Sequence, residues 1–128
     1  MEFDHLGIAV VDLEIELKRF ETLGYSKKSE FTDPIQGVEG FFLTGNGPCI
    51  ELLKNLPGSK TLTPWLRNTD FRPYHLAFKT NSIAMSQVKL ESIGSRLVKR
   101  PESSVAFKNQ RICFMSFSNI FLIELISS

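Results

Sequence analysis

Two histidines and two glutamates are the residues of this chain whose types and spacing point to metal chemistry. His5 and His75 are the only histidines among its 128 residues, and Glu51 and Glu124 lie inside the apolar segments CIELL and FLIELI. An ionised carboxylate stays inside a protein when it is paired, hydrogen-bonded or bound to a metal. We therefore predict that both glutamates have partners, and that these are the two histidines and one divalent metal ion.

An internal repeat makes the two histidines equivalent positions. The segment 4–25 aligns with the segment 74–95 without a gap, and this alignment pairs His5 with His75. The tripeptide IEL around Glu51 recurs around Glu124 at a slightly larger offset, so that it closes both halves. A single histidine on an apolar strand is usually an ordinary core residue. Two histidines at one repeat position, each half ending in the same glutamate strand, favour a shared metal site.

Each half of the chain shows the same order of elements, β-α-β-β-β, which predicts an α+β fold. Asp12 and either Asn81 or Ser82 are predicted to cap the helices at their N-termini, and Gly24 and Gly94 to end them. The predicted strands span 3–10, 25–32, 38–44 and 48–54 in the first half and 73–79, 95–100, 110–117 and 120–126 in the second, and the predicted helices span 12–23 and 82–93.

The repeat divides the chain into two tandem modules within one predicted domain, 1–128. Module one covers about 1–54 and module two about 73–128. The connector, about 55–72, is predicted to hold one short helix around 63–67. Strand alternation turns each histidine and each glutamate toward apolar or small neighbours on its own face. Two related half-sheets that face each other would therefore bring His5, Glu51, His75 and Glu124 together.

Two imidazoles and two carboxylates form a mixed nitrogen and oxygen donor set. Such a set suits Mn, Co, Ni or Zn, and less typically Mg. Four protein ligands on an octahedral ion leave two positions, which could chelate a small molecule with adjacent oxygens. The ion would then stabilise an enediolate or enolate as a Lewis acid.

Composition argues against two other classes of partner. Fifteen basic residues nearly balance fourteen acidic ones, for a formal charge of +1, so charge does not indicate nucleic acid or a membrane surface. No apolar run approaches the roughly 18 residues needed to cross a bilayer. The N-terminus has acids where a signal peptide has cations, and Cys49 and Cys113 form no metal-type pair. We therefore predict a cytoplasmic protein.

Several of these segments resemble the vicinal oxygen chelate superfamily, which groups glyoxalase, bleomycin-resistance and dioxygenase proteins. DHLGIAV followed by a helix ending in LGY resembles its first module, and PYHLAF with the closing LIEL resembles its second. The resemblance covers nearly the whole chain. It implies paired βαβββ modules that form an open, curved, eight-stranded mixed sheet around a metal-binding cavity. The ligand set implied is His5, Glu51, His75 and Glu124.

Within the superfamily, the sequence most resembles the methylmalonyl-CoA epimerases. The segments that show this resemblance are IQGVEGFF at 35–42 and IELLKN followed by KTLTPWL at 60–66. This resemblance implies a metal-dependent isomerase that removes and returns a proton beside a carbonyl, a CoA thioester as substrate, and Glu124 as the acid/base. Gly40 stands where some epimerases have another catalytic glutamate, and Glu39 beside it is predicted to point to the other face. Tyr74 replaces the first histidine of a usual His-His pair.

Glyoxalase I, a lactoylglutathione lyase, is the second alternative, because its bacterial forms use the same ligand set. Ala9 stands where that family commonly has a glutathione-binding arginine. A non-catalytic drug-binding module is the third alternative, although such relatives usually lack the ligands. The resemblance leaves open whether the modules pair within one chain or across a homodimer. It also leaves open whether a substrate's phosphate or carboxylate groups bind Lys60, Arg72, Arg100 or Arg111.

Overall fold

The computed structural model describes residues 1–108, 110–118 and 121–128. Its elements follow the predicted order, β-α-β-β-β, twice, and confirm the α+β fold class. The predicted start of the last strand, residue 120, lies outside the described residues. The strands are β1 (Glu2–Val10), β2 (Ser26–Asp33), β3 (Val38–Thr44), β4 (Ile50–Asn55), β5 (Phe71–Thr80), β6 (Arg96–Ser104), β7 (Gln110–Ser118) and β8 (Phe121–Ser127), and the helices are α1 (Leu13–Thr22) and α2 (Ile83–Glu91).

All eight strands form one mixed sheet in the order β2-β3-β4-β1-β5-β8-β7-β6. Each module contributes four consecutive positions of this order, and the modules meet where β1 pairs with β5 in antiparallel fashion. Within each module the first strand pairs with the last in parallel, β1 with β4 and β5 with β8. The modules therefore pair within a single chain.

This strand order carries the four predicted ligands on the four central strands, one on each. His5 lies opposite Ala77 across the β1–β5 seam, and Gly7 lies opposite His75. On the two flanks, Gly7 is in register with Glu51, and Ala77 is in register with Glu124. Neighbouring positions on one sheet face are within side-chain reach, so the register itself brings the four side chains together.

The two helices cover the opposite face of the sheet. Asp12 caps α1, since its Oδ1 accepts a hydrogen bond from the Ile15 N–H at 3.0 Å. Ser82, and not Asn81, caps α2, since its Oγ accepts from the Met85 N–H at 3.2 Å. Leu13 and Leu17 of α1 pack on one apolar cluster of the sheet, and Leu90 of α2 packs on another. The helices thus leave the concave face free to form the site.

The outer strands β2 and β6 approach each other over that concave face. The buried Asp33 carboxylate, at the end of β2, accepts hydrogen bonds from the Ser104 hydroxyl at 3.2 Å and the Val105 N–H at 3.0 Å. Nearby, Gln36 donates to Glu102 at 2.7 Å. These contacts cross from module one to module two, so they close the sheet into a covered cavity.

Strand β6 is longer than the predicted 95–100 because it continues through Pro101 to Ser104. A proline cannot donate a hydrogen bond to a strand ladder. On an edge strand the missing N–H faces away from the ladder, so the strand tolerates it. The register between β6 and β7 shifts at the same place, between Lys99 and Glu102. The extension brings Ser104 within reach of Asp33.

Among the described residues, neither helix has the length and apolar character required of a membrane span.

Candidate metal centre

The structure brings all four predicted ligands into one buried group. His5, Glu51, His75 and Glu124 each offer one nitrogen or oxygen atom, and these atoms all lie within 4.8 Å of one another. None of the four residues is more than 2% exposed. The group sits at the floor of the cavity that the curved sheet encloses, where Glu51, His75 and Glu124 are lining residues.

The distances within the group are nearly symmetric about the module seam. The two histidine Nε2 atoms are 3.0 Å apart. Glu51 Oε1 lies 3.1 Å from His5 Nε2 and 3.3 Å from His75 Nε2. Glu124 Oε2 shows the reverse, 3.3 Å from His5 Nε2 and 3.1 Å from His75 Nε2. The pseudo-symmetry of the repeat is therefore preserved at the level of single atoms.

The charges in this group shift one another's protonation. Burial lowers the pKa of His5, but the Glu51 charge, the hydrogen bond to Asp4 and the close contacts with both glutamates outweigh it, so the pKa is raised well above its usual value. Burial raises the pKa of Glu51 and Glu124, but the two histidines outweigh it and lower both. Without a metal, the group therefore holds protons on imidazole nitrogens between ionised carboxylates.

A divalent cation fits this arrangement of donors. Within the described part of the chain, Glu124 Oε2 is a buried atom that makes no hydrogen bond. It faces two imidazole nitrogens that point at each other. An unsatisfied buried oxygen costs free energy. Two imidazole Nε2 atoms 3.0 Å apart cannot both donate to each other, so the metal-free group leaves one of them poorly satisfied. A cation bound by the group would satisfy all four donor atoms at once, and two imidazoles with two carboxylates suit a transition-metal ion.

A β-bulge precedes each histidine, at equivalent positions of the repeat. The β1–β5 register skips Asp4 on one strand and Tyr74 on the other. A bulge breaks the alternation of side chains, so the bulged residue and its neighbour can point toward the same side. Alternation along β5 would place Tyr74 and His75 on opposite faces. In the structure both line the cavity.

At the bulge in β1, the Asp4 side chain hydrogen-bonds to the ring of His5 and fixes its orientation. Its Oδ2 is 2.7 Å from His5 Nδ1, and its Oδ1 is 3.5 Å from the Lys79 ammonium. An ionised carboxylate only accepts hydrogen bonds, so Nδ1 carries a proton and Nε2 is the atom free to bind a metal. The hydrogen bond to His5, against the effect of burial, lowers the pKa of Asp4. Alternation along β1 gave no sign of this contact; the adjacency of Asp4 to His5 was the available signal.

Replacement of Asp4 is expected to weaken metal binding. In Asp4→Ala we expect divalent metal affinity to fall by roughly 10- to 100-fold, because a carboxylate behind a metal-binding histidine fixes its tautomer and raises its basicity. The metal affinity of Asp4→Asn should lie between those of Asp4→Ala and the unmodified chain, since an amide oxygen still accepts the hydrogen bond but has no charge. Competition titration of the metal-free protein with a chromogenic chelator measures the effect. Lys79→Ala is the matched control and should bind metal like the unmodified chain; a loss there equal to that of Asp4→Ala would assign the effect to the ion pair instead.

Close packing fixes the ring of His75. A Cβ atom built on Gly7 would lie 1.9 Å from His75 Cε1, so any side chain at position 7 would displace the imidazole. The His75 Nδ1 atom has no hydrogen-bond partner within the described residues. Module two thus holds its histidine by packing, whereas module one holds its histidine by a hydrogen bond.

Phenylalanines shield the group from solvent. Phe107 stacks on the His5 ring at 5.4 Å between centroids, Phe42 meets the same ring edge-on at 5.6 Å, and Phe114 meets His75 at 5.7 Å. Phe107 belongs to the segment between β6 and β7, and no pattern in the sequence indicated its place. A dry surround strengthens electrostatic interactions within the site.

The cavity above the group has a volume of about 290 Å³. That volume is at the small end of ligand pockets. Apolar and aromatic side chains form most of its wall. Among the described residues, Lys99 is the one lysine or arginine in the lining. Its ammonium lies 2.7 Å from Glu102 and donates to Gln36 at 2.8 Å.

Other residues singled out in the sequence lie elsewhere. Glu39 pairs with Lys54 on one neighbouring strand and with Thr32 on the other. It shares a strand face with Phe41, which packs in the core beneath α1, so it points away from the metal group. Gly40 faces the site side, but a Cβ there would lie 2.1 Å from a backbone oxygen, so no side chain fits. Four basic residues are exposed, and the described cavity lining includes none of them: Lys60, Arg72, Arg100 and Arg111.

Comparisons with known proteins agree with this architecture. Residues 4–114 match the sequence model of the Glyoxalase/Bleomycin resistance protein/Dioxygenase superfamily. A search of curated protein sequences finds no significant match.

Solved structures show the same fold. Methylmalonyl-CoA epimerase from Mycobacterium tuberculosis is similar at 28% identity and a TM-score of 0.82, over 98% of this chain and 87% of that one. A hypothetical protein from Bacillus halodurans is similar at 22% identity and a TM-score of 0.82, over 99% and 94%. A variant Streptomyces coelicolor methylmalonyl-CoA epimerase in complex with 2-nitronate-propionyl-CoA is similar at 23% identity and a TM-score of 0.76, over 100% and 97%.

Proposed function

The chain belongs to the Glyoxalase/Bleomycin resistance protein/Dioxygenase superfamily, and from that membership we propose that it is a divalent-metal-dependent enzyme of the epimerase or glyoxalase type. The observation that carries the proposal is the buried group of His5, Glu51, His75 and Glu124. We infer that these four residues hold one ion of Co, Ni, Zn, Mn or Mg. The substrate would be a small molecule whose carbonyl oxygen enters the cavity.

The bound ion would act as a Lewis acid on that carbonyl and stabilise the charge left when the neighbouring carbon loses a proton. The residues of the chain supply the rest of the chemistry. Glu124 is the proposed acid/base, because the residue lines the cavity and its Oε2 makes no hydrogen bond within the described residues. Burial raises its pKa, but the neighbouring histidines outweigh this and lower it, so the carboxylate is ionised. The phenylalanines exclude water, which protects the carbanionic carbon from uncontrolled protonation.

Methylmalonyl-CoA epimerase-like chemistry is the preferred form of this proposal, with a CoA thioester as the substrate. Two observations support it: the fold shared with the M. tuberculosis epimerase, and a compact cavity suited to an acyl group. Three further predictions accompany this proposal: that residues 1–128 form a single domain, that the protein is cytoplasmic, and that it forms a homodimer.

One observation favours a second candidate, a glyoxalase I-like reaction on a hemithioacetal. Epimerisation removes a proton from one face of a carbon and returns it to the other, which is simplest with two acid/base groups. Glu39 points away from the site, and the remaining lining carboxylate outside the metal group, Asp33, is taken up by hydrogen bonds. A shift of a proton between adjacent carbons needs only one base. A non-catalytic binding module is the third candidate, and the complete ligand set argues against it.

A substrate panel on metal-loaded protein tests the proposal. We expect the α-proton of methylmalonyl-CoA to exchange into deuterium oxide, followed by NMR, with a dependence on added Co²⁺ or Ni²⁺. Conversion of the methylglyoxal–glutathione hemithioacetal without such exchange would select the glyoxalase candidate. Metal binding with neither reaction would favour the binding module, and absence of metal binding would refute the proposal.

A further inference from the structure

Tyr74 is a buried polar side chain that the metal group does not use. It is 5% exposed and lines the cavity beside His75. Its ring meets the His75 ring edge-on at 4.6 Å and packs against Trp65 at 5.3 Å. The hydroxyl makes no hydrogen bond to any described residue. Unlike His75 Nδ1 and Glu124 Oε2, this hydroxyl is not fully enclosed by protein, so within the described residues it is a free donor that a bound molecule can reach.

The bulge in β5 is what turns this side chain into the cavity. The equivalent bulge in module one presents Asp4, whose carboxylate is occupied by the His5 ring. The Tyr74 ring meets the His75 imidazole edge-on, and its hydroxyl does not hydrogen-bond to the histidine as the Asp4 carboxylate does. The two bulged positions therefore differ: Asp4 supports a histidine, whereas Tyr74 lines the cavity.

The other polar groups of the cavity wall are already engaged. Asp33 accepts from three donors, and Lys99 is bound to Glu102 and Gln36. Thr61 donates to the Gln36 carbonyl at 2.8 Å. A phenol is neutral near pH 7 and acts as a hydrogen-bond donor. Tyr74 is thus the lining donor best placed to meet a substrate beside the metal group.

We propose that Tyr74 is a substrate-binding residue whose hydroxyl donates a hydrogen bond to a substrate oxygen next to the metal-held carbonyl. This inference rests on the proposed function and narrows its substrate class. The end of the substrate in the cavity is a compact, oxygen-rich group, a carbonyl flanked by a second oxygen, with an apolar flank that packs on Trp65 and its neighbours. The site discriminates against analogues that lack the second oxygen, because they would cover the hydroxyl without accepting its hydrogen bond.

Tyr74→Phe removes only the hydroxyl and keeps the packing of the ring. The probe is acetohydroxamate, which presents two adjacent oxygens, bound to the Co²⁺-loaded protein and followed by the visible spectrum of the ion. We expect Tyr74→Phe to bind it roughly 10- to 100-fold more weakly, the range for one hydrogen bond to a charged oxygen. Affinity for Co²⁺ itself should be unchanged. Tyr25→Phe is the matched control, because the Tyr25 hydroxyl donates to the Pro48 carbonyl at 3.0 Å, away from the cavity.

The outcomes separate this inference from the proposed function. Equal acetohydroxamate affinity in Tyr74→Phe and the unmodified protein would overturn the role of Tyr74 and leave the metal site standing. A parallel loss in Tyr25→Phe would also overturn it. Failure of the unmodified protein to bind Co²⁺ would refute the proposed function, and this inference with it. If methylmalonyl-CoA exchanges its α-proton, the same variant should raise KM or lower kcat, whereas the control should do neither.

Discussion

His5→Ala and His75→Ala are each expected to abolish stoichiometric metal binding. The unmodified chain should retain one divalent ion after dialysis, and each variant should bind it more than about 100-fold more weakly, because losing a ligand costs more than losing an outer partner. Metal analysis of dialysed protein gives the stoichiometry. Thermal unfolding gives a second measure, since added metal should raise the Tm of the unmodified chain and not that of the variants.

Buried carboxylates complicate these variants, because removal of a histidine leaves two glutamates with fewer partners. Circular dichroism of the metal-free proteins therefore accompanies the metal analysis. Glu16→Gln is a useful control, because Glu16 is a buried glutamate of α1 paired with Arg19 at 2.7 Å, outside the site. The metal hypothesis fails if a folded His5→Ala or His75→Ala protein retains its ion as tightly as the control.

Glu124→Gln is expected to retain the fold and lose proton transfer. Removing the acid/base group should slow exchange of the substrate α-proton by roughly 10²- to 10⁴-fold, the usual contribution of general acid–base catalysis. The glutamine is close to the glutamate in shape and keeps an oxygen toward the ion. The measurement is NMR-detected exchange in deuterium oxide under saturating metal, with the bound metal quantified in the same samples.

Glu51→Gln is the matched comparison, because the repeat places Glu51 in the equivalent position of module one. Both variants lose one carboxylate from the metal group, so an equal weakening of metal binding is expected in both. A greater loss of exchange in Glu124→Gln at equal metal occupancy supports its role as the base. If Glu51→Gln loses exchange and Glu124→Gln does not, the base belongs to module one instead.

Sequence alone was sufficient for the parts of this protein that repeat. The 70-residue offset between the histidines and the two IEL strands predicted both modules, and local signals such as the Asp12 cap predicted their helices. Strand alternation correctly turned Glu39 away from the site. These features depend on short-range periodicity, which a sequence displays directly. The observed register then brings the four side chains within reach of one another.

Features that break the period were decided only in the tertiary structure. The bulges at Asp4 and Tyr74 change which side of the sheet these two side chains face, relative to simple alternation. They depend on how β1 pairs with β5 across the module seam. The extension of β6 and the contacts of Asp33 with Ser104 and Val105 join residues about 70 positions apart. Long-range pairing of this kind leaves no local pattern, because its free energy comes from contacts that exist only after the sheet has closed. The donor set for a metal could therefore be predicted from the chain itself, whereas Asp4 behind one histidine and Tyr74 in the cavity could be recognised only in the fold.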